Sequence, residues 1–264
     1  MTDAPMPETN RMLAALAARS GDGFPPAAAL SLVVADVRQL TPSMRRVTLT
    51  GEELGDFTYL PGQDLMLEVP TGDGGRINRR YTVRAFDGAA CTVDLDLIAH
   101  DHGPGGRWAR AALPGDRIDA IGPRGKVILA DDAAWHLFVC DESGLPAVAS
   151  MTEALPVSAT ALVFADVAGP EEQQPLGPAA SVVWLHRDGA APGGAGAIVD
   201  AVAAASLPDP EAGHAYLMAE MGVVSAVRAV LIGRGFVPDR VAPKAYWRRG
   251  AANARHGEPL HDRA

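Results

Sequence analysis

The stretch Arg79-Arg80-Tyr81-Thr82-Val83-Arg84 gathers three guanidinium groups around one aromatic ring and one small hydroxyl. An extended backbone turns successive side chains to opposite faces, so Arg79, Tyr81 and Val83 are expected on one side and Arg80, Thr82 and Arg84 on the other. Such a strand can hold a phosphate in a guanidinium fork and lay an aromatic face against a flat ring. It can equally be a solvated edge strand whose arginines block unwanted pairing. The sequence on either side bears on that choice.

From residue 31 to about 130 the chain reads as short alternating strands divided by turn signals. LSLVVADVRQL, RRVTLTG and QDLMLEVP succeed one another across Thr41-Pro42 and Pro61-Gly62. NRRYTVRAF, the turn Asp87-Gly88, CTVDLDLIAH and, after Pro114-Gly115, DRIDAIGP continue the series. Strands of this length and spacing predict a small antiparallel barrel or sandwich. Beyond Ala130-Asp131-Asp132 the rhythm changes: WHLFVC, ATALVFA, SVVWLH and HAYLMA alternate with helix-like segments near 144–155, 196–206 and 222–235. Strand then helix, repeated, predicts a parallel sheet. The expected division is an N-terminal extension (1–30) with a candidate short helix around Arg11 to Arg19, a β-barrel domain (31–130) and an α/β domain (131–264) with a frayed final dozen residues.

Composition narrows the function classes. The chain has 264 residues, 48% hydrophobic and 21% charged, enough for a sizeable core. No apolar run reaches the roughly 20 residues of a membrane span, and no basic segment with an apolar run opens the sequence. A cytoplasmic monomer is expected. A net charge of −9 argues against general nucleic-acid binding, so an anionic substrate must find a local basic patch. Cys91 and Cys140, in apolar strand-like surroundings, suit buried packing in a reducing compartment. The histidines show no metal-ligand spacing and the cysteines no CxxC, so no metal site is expected.

Three loops carry further chemistry. Asp101-His102-Gly103-Pro104-Gly105-Gly106-Arg107-Trp108-Ala109 is a glycine-rich turn feeding a helix, and bare amides at a helix start suit a pyrophosphate. It also fits an ordinary surface turn; beside the arginine strand it becomes a flavin-dinucleotide candidate. Asp141-Glu142-Ser143-Gly144 ends the first parallel strand, where open parallel sheets bind ligands, although Ser143 also reads as a helix cap. Glu220-Met221-Gly222 closes HAYLMA and opens the next helix, a position where an acid also favours the helix dipole. Gly193-Gly194-Ala195-Gly196-Ala197 lacks full dinucleotide spacing and reads as a linker turn. Asp166 suits a ribose hydroxyl and Arg187 a 2′-phosphate, which leaves NADH and NADPH both open.

In their order, RRYTVR, DLDLIAHDHGPGGRWA, PGDRIDAIGPRGK, DESGLPA, AEMGVVSAVRAVL and KAYWRRG resemble the siderophore-interacting protein family, FAD-dependent ferric-siderophore reductases related in architecture to ferredoxin reductases. The resemblance covers roughly residues 31 to 250. It implies an N-terminal antiparallel FAD-binding β-barrel followed by a C-terminal parallel-sheet NAD(P)H-binding α/β domain. It further implies that Arg79 binds the FAD phosphates, Tyr81 lies against the flavin ring and Thr82 reaches its polar edge. Val83, Asp96, Ile98, His100, Gly106, Arg107, Trp108 and Ala109 would complete the pocket. The nicotinamide loop maps onto Asp141, Glu142, Ser143, Leu145 and Pro146, with Glu220 as a second wall. Arg124, Lys126, Lys244 and Arg248 are the positional candidates for holding a ferric siderophore. Electrons would pass from NAD(P)H, or alternatively ferredoxin, through FAD to siderophore-bound Fe(III), releasing Fe(II) with no obligatory protein acid or base. A siderophore-binding protein without redox activity is the third alternative. The chain departs from the family pattern at Gly144 and at Met221-Gly222-Val223, and the resemblance assigns no role to Arg80 or Arg84.

Overall fold

The computed structural model describes residues 24–251; the candidate helix around Arg11 to Arg19 and the final dozen residues lie outside the described residues. Its contacts divide the chain into two units. One holds the residues up to Leu40 together with Arg45–Ile128, the other Thr41–Met44 together with the residues from Leu129 onward.

The first unit is built from strands β1 (Ala28–Gln39), β2 (Met44–Thr50), β3 (Asp64–Pro70), β4 (Arg76–Thr82), β5 (Ala85–Asp87), β6 (Thr92–Ile98) and β7 (Arg117–Arg124), with helix α1 (Gly103–Ala111) after β6. They form one sheet in the order β4-β3-β7-β1-β2-β6-β5. Period-two alternation decides which face is buried: Val47 and Leu49 on β2, and Val93, Leu95 and Leu97 on β6, point into a core that also takes Leu32, Leu65, Leu67 and Trp108. The strand expected over 78–86 is in fact two. β4 pairs with β3, and β5 pairs with β6 at the opposite edge of the sheet. Val83 and Arg84 alone join them; their amides donate to Gln63 O and Asp94 O, both at 2.9 Å. From Thr82 to Ala85 is three residue steps, at most about 11 Å, so the two edges must meet and the sheet rolls into a barrel. Cys91 is likewise not in a strand: it lies in the β5–β6 turn with φ 49° and is half-buried.

In the second unit β8 (Trp135–Asp141), β9 (Ala161–Val167), β10 (Ala180–His186), β11 (Gly213–Glu220) and β12 (Val241–Trp247) make a parallel sheet ordered β10-β9-β8-β11-β12, with helices α2 (Leu145–Ala154), α3 (Gly196–Ala204) and α4 (Met221–Gly233). Every residue of β8 is buried, as a central parallel strand requires. The sequence reading missed β12. Pro243 and Lys244 break its apolar pattern, and only its place at the sheet edge, paired with β11 alone, makes a proline tolerable there. The chain runs outward from β8 through β9 to β10, then returns to the other side of β8 as β11. The switch point therefore falls between the carboxyl ends of β8 and β11, where Asp141 and Glu220 stand. No described helix is long and apolar enough to cross a membrane.

Candidate functional site

In the first unit β4 and α1 approach through bare glycines. A methyl group on Gly105 would stand 2.4 Å from the Tyr81 hydroxyl and 3.3 Å from Arg79 Cγ; one on Gly106 would stand 2.4 Å from the His100 ring. Glycine at both positions lets the helix start press against Arg79, Tyr81 and His100. The first-turn amides have no acceptor within the helix and carry the positive end of its dipole. Beside them lies the half-buried Arg79 guanidinium, one N–H of which donates to Asn78 O at 2.8 Å. Burial pushes the Tyr81 phenol up, against the opposing pull of Arg79, so the ring stays neutral. Burial and then the neighbouring His102 push His100 down, and its Nδ1 accepts the His102 amide at 3.1 Å. The site thus joins one fixed positive charge to two neutral ring systems.

The other residues expected around this pocket divide. Thr82 and Val83 are buried at the β4–β5 junction, and Ile98 is half-buried at the end of β6. Arg107 is exposed, reaching Thr71 O at 3.4 Å. Trp108 and Ala109 face the core. The buried Asp96 carboxylate is gripped by Arg46 through two bonds of 2.7 and 2.8 Å, with Arg84 at 3.7 Å. Arg80 holds the buried Asp64 through bonds of 2.9 and 2.6 Å. The two arginines without a role thus neutralise aspartates on neighbouring strands. Of the basic candidates, Arg124 ends β7 against Met66, and Lys126 is exposed with its ammonium 5.7 Å from the Phe24 ring. Lys244 is buried on β12 with its ammonium 5.4 Å from the Tyr246 ring, and Arg248 is exposed.

In the second unit Asp141 ties the carboxyl edge of the sheet together. One carboxylate oxygen accepts the amide (2.9 Å) and hydroxyl of Ser143; the other accepts the Glu220 amide at 2.9 Å and Trp247 Nε1 at 2.8 Å. A carboxylate offers about four acceptor positions, and all are taken. Burial raises its pKa, partly countered by the Ser143 and Trp247 bonds. Because Ser143 is spent on Asp141 it does not cap α2; the cap position is Gly144, with no side-chain bond. A methyl group there would stand 2.0 Å from Met218 O on β11, which accounts for glycine at this departure from the family pattern. Leu145 and Pro146 are buried in the first turn of α2. Glu220 does cap α4: its carboxylate accepts the Gly222 and Val223 amides, and also that of Arg249 at 3.0 Å. Trp247 and Arg249 had no assigned role; the β11–β12 pairing that sets them here has no local signature in the sequence.

Glu142 turns away from Asp141 toward the ends of β9 and β10. It accepts the Ala168 amide at 2.7 Å and both terminal nitrogens of Arg187, one at 2.9 Å. The same guanidinium stands 3.6 Å from the Asp166 carboxylate. Burial, only partly offset by Arg187, pushes Asp166 up to about 6. Asp166 and Arg187, read as alternative nucleotide contacts, are therefore partners.

Residues 133–250 match the family model described as Siderophore-interacting protein, and residues 63–127 that of the Siderophore-interacting FAD-binding domain. Ferric vibriobactin reductase ViuB of Vibrio cholerae serotype O1 is 30% identical over 250 residues, spanning 85% of this chain and 91% of the relative. The crystal structure of a siderophore utilization protein from T. fusca, 34% identical, superposes with a TM-score of 0.81 over 88% of this chain and 97% of that one. The ferredoxin reductase in carbazole 1,9a-dioxygenase, 20% identical, shares the fold with a TM-score of 0.70, over 84% and 70% of the two chains.

Proposed function

Since this chain belongs to the siderophore-interacting protein family, we propose that it is a flavin-dependent ferric-siderophore reductase drawing electrons from NAD(P)H. The observation that carries this reading is the cradle of Arg79, Tyr81 and His100 against Gly105 and Gly106, inside the segment matching the family's FAD-binding domain. Its chemistry fits FAD: a guanidinium and free helix amides for phosphates, and neutral ring systems for a flat heterocycle. Arg79 would hold the phosphates, Tyr81 would pack on the ring, and Thr82 would offer a hydroxyl. FAD, when bound, supplies the conversion between the two electrons of a nicotinamide hydride and the single electron accepted by ferric iron.

Asp141 is saturated by four donors and Glu220 accepts three backbone amides, so they act by holding the β8, β11 and β12 ends rather than by moving protons. No step requires a protein acid or base. On a chain of net charge −9, the candidate positive charges for an anionic ferric chelate are Arg124 and Lys126 in the first unit and, in the second, Arg248 and the buried Lys244. Arg79→Ala tests the cradle: FAD affinity is expected to fall about 10- to 100-fold, the worth of a charge-assisted phosphate contact. A variant that binds FAD as tightly as the parent defeats this reading.

A further inference from the structure

Resting on the nicotinamide-donor reading above, we infer that this chain prefers NADH to NADPH, and that Glu142 and Asp166 set the preference by occupying Arg187. In an open parallel sheet the nucleotide lies across the carboxyl ends of the strands; an acid there meets a ribose 2′-hydroxyl, and an arginine accommodates a 2′-phosphate. Asp166 lies near the end of β9 and Arg187 directly follows β10, so both candidates stand at that edge. The arginine is not available for a new anion. One terminal nitrogen donates to Glu142 Oε2 at 2.9 Å and to Asp166 O at 3.2 Å, and the other donates to Glu142 Oε1. Two donors remain, Nε–H and the second N–H of that other nitrogen; Nε is buried without a partner, and only 11% of the side chain is exposed. Bidentate capture of a phosphate needs two parallel N–H groups; the terminal pair already holds a carboxylate, and the side pair is closed to an incoming anion by the burial of Nε.

The charge balance points the same way. Arg187 contributes +1 against −1 each from Glu142 and Asp166, leaving −1, with Asp188 the next residue and Asp141 at the end of β8. Of the two arginines that follow β12, Arg249 is tied to Pro192 O at 2.8 Å and Arg248 is exposed, at the far edge of the sheet from β9 and β10. A 2′-phosphate would add its dianion to this surplus, whereas a ribose hydroxyl can donate to a carboxylate. One uncompensated charge acting at the dielectric of a protein surface is enough for a discrimination of about tenfold or more.

The test uses the full chain loaded with FAD. NAD⁺ and NADP⁺ are titrated calorimetrically, and anaerobic bleaching of the flavin by NADH and NADPH is followed in parallel. The account expects NADH favoured by about tenfold or more in both readouts. It expects Glu142→Gln and Asp166→Asn each to shift the ratio toward NADPH by improving NADPH binding. If Glu142→Gln fails to fold, Asp166→Asn decides alone. Equal use of both donors, a preference for NADPH, or folded variants with the parent's ratio overturns the inference and leaves the reductase reading standing. Binding and bleaching by neither nucleotide is a different result: it removes the nicotinamide donor itself, and the preference with it.

Discussion

Gly144 and Gly222 both sit where the sequence departs from the family pattern, yet their surroundings differ. A Cβ at Gly144 would lie 2.0 Å from the Met218 carbonyl oxygen, a backbone atom in the central sheet that cannot step aside. At Gly222 the nearest atom is the Glu220 carboxylate at 2.9 Å, the end of a flexible side chain. Gly144→Ala is therefore expected to cost about 3 kcal/mol or more, and Gly222→Ala, which gains helix propensity, to stay within about 1 kcal/mol of the parent. Denaturant unfolding checks both; equal effects would contradict this account of Gly144. At this scale the sequence revealed residue types more readily than partners. It marked Arg79 and Tyr81 as a pair two residues apart, a spacing that places them on one face. It gave no role to Arg80 and Arg84, because their aspartates, Asp64 and Asp96, come from β3 and β6 and meet them only once the register of the β3–β4 and β5–β6 pairs is set.

Among elements, the regular ones were readable and the exceptions had physical causes. Uninterrupted apolar runs gave β8, β9 and β11, and alternation gave β2 and β6. The break after Thr82 was hidden because Val83 is as good a strand residue as its neighbours; only barrel closure makes it change partners. β12 was hidden by its edge proline. The least visible element-level feature was the junction of β8, β9 and β10 through Glu142, Arg187 and Asp166, where one guanidinium serves two buried carboxylates. This junction has a consequence for stability. Asp166 titrates at about 6 in the folded chain against its ordinary value of 3.8, so the folded state holds that proton more tightly than the unfolded state. Its contribution to stability is therefore largest below pH 3.8, is lost as the pH rises through 6, and leaves a net cost above that. Asp166→Asn removes the cost and keeps the Glu142–Arg187 pair. The variant is expected to be more stable than the parent by about 1–3 kcal/mol at pH 7.5, with the gain vanishing toward pH 4. Thermal unfolding across this range checks it; a variant less stable at pH 7.5, or a difference that does not change with pH, would contradict it.

For the whole molecule, the barrel-then-parallel-sheet order was legible because the two halves follow different hydrophobic periods, and the family relationship because six short segments recur in order. The pairing of Asp166 with Arg187 was not legible: as separate nucleotide contacts they looked like rivals, and the structure sets them 3.6 Å apart as an ion pair. The central claim is that the chain binds FAD and uses it to reduce siderophore-bound iron. Its most direct test is anaerobic. Protein reconstituted with FAD and reduced to completion is mixed with ferric catecholate, hydroxamate and citrate chelates in turn, and flavin absorbance and trapped Fe(II) are recorded together. The account predicts a flavin spectrum after removal of excess FAD, and its return on mixing with at least one chelate, with about two Fe(II) released per FAD because each iron takes one electron. Protein that retains no flavin, or reduced flavin that stays bleached with all three chelates, would contradict it.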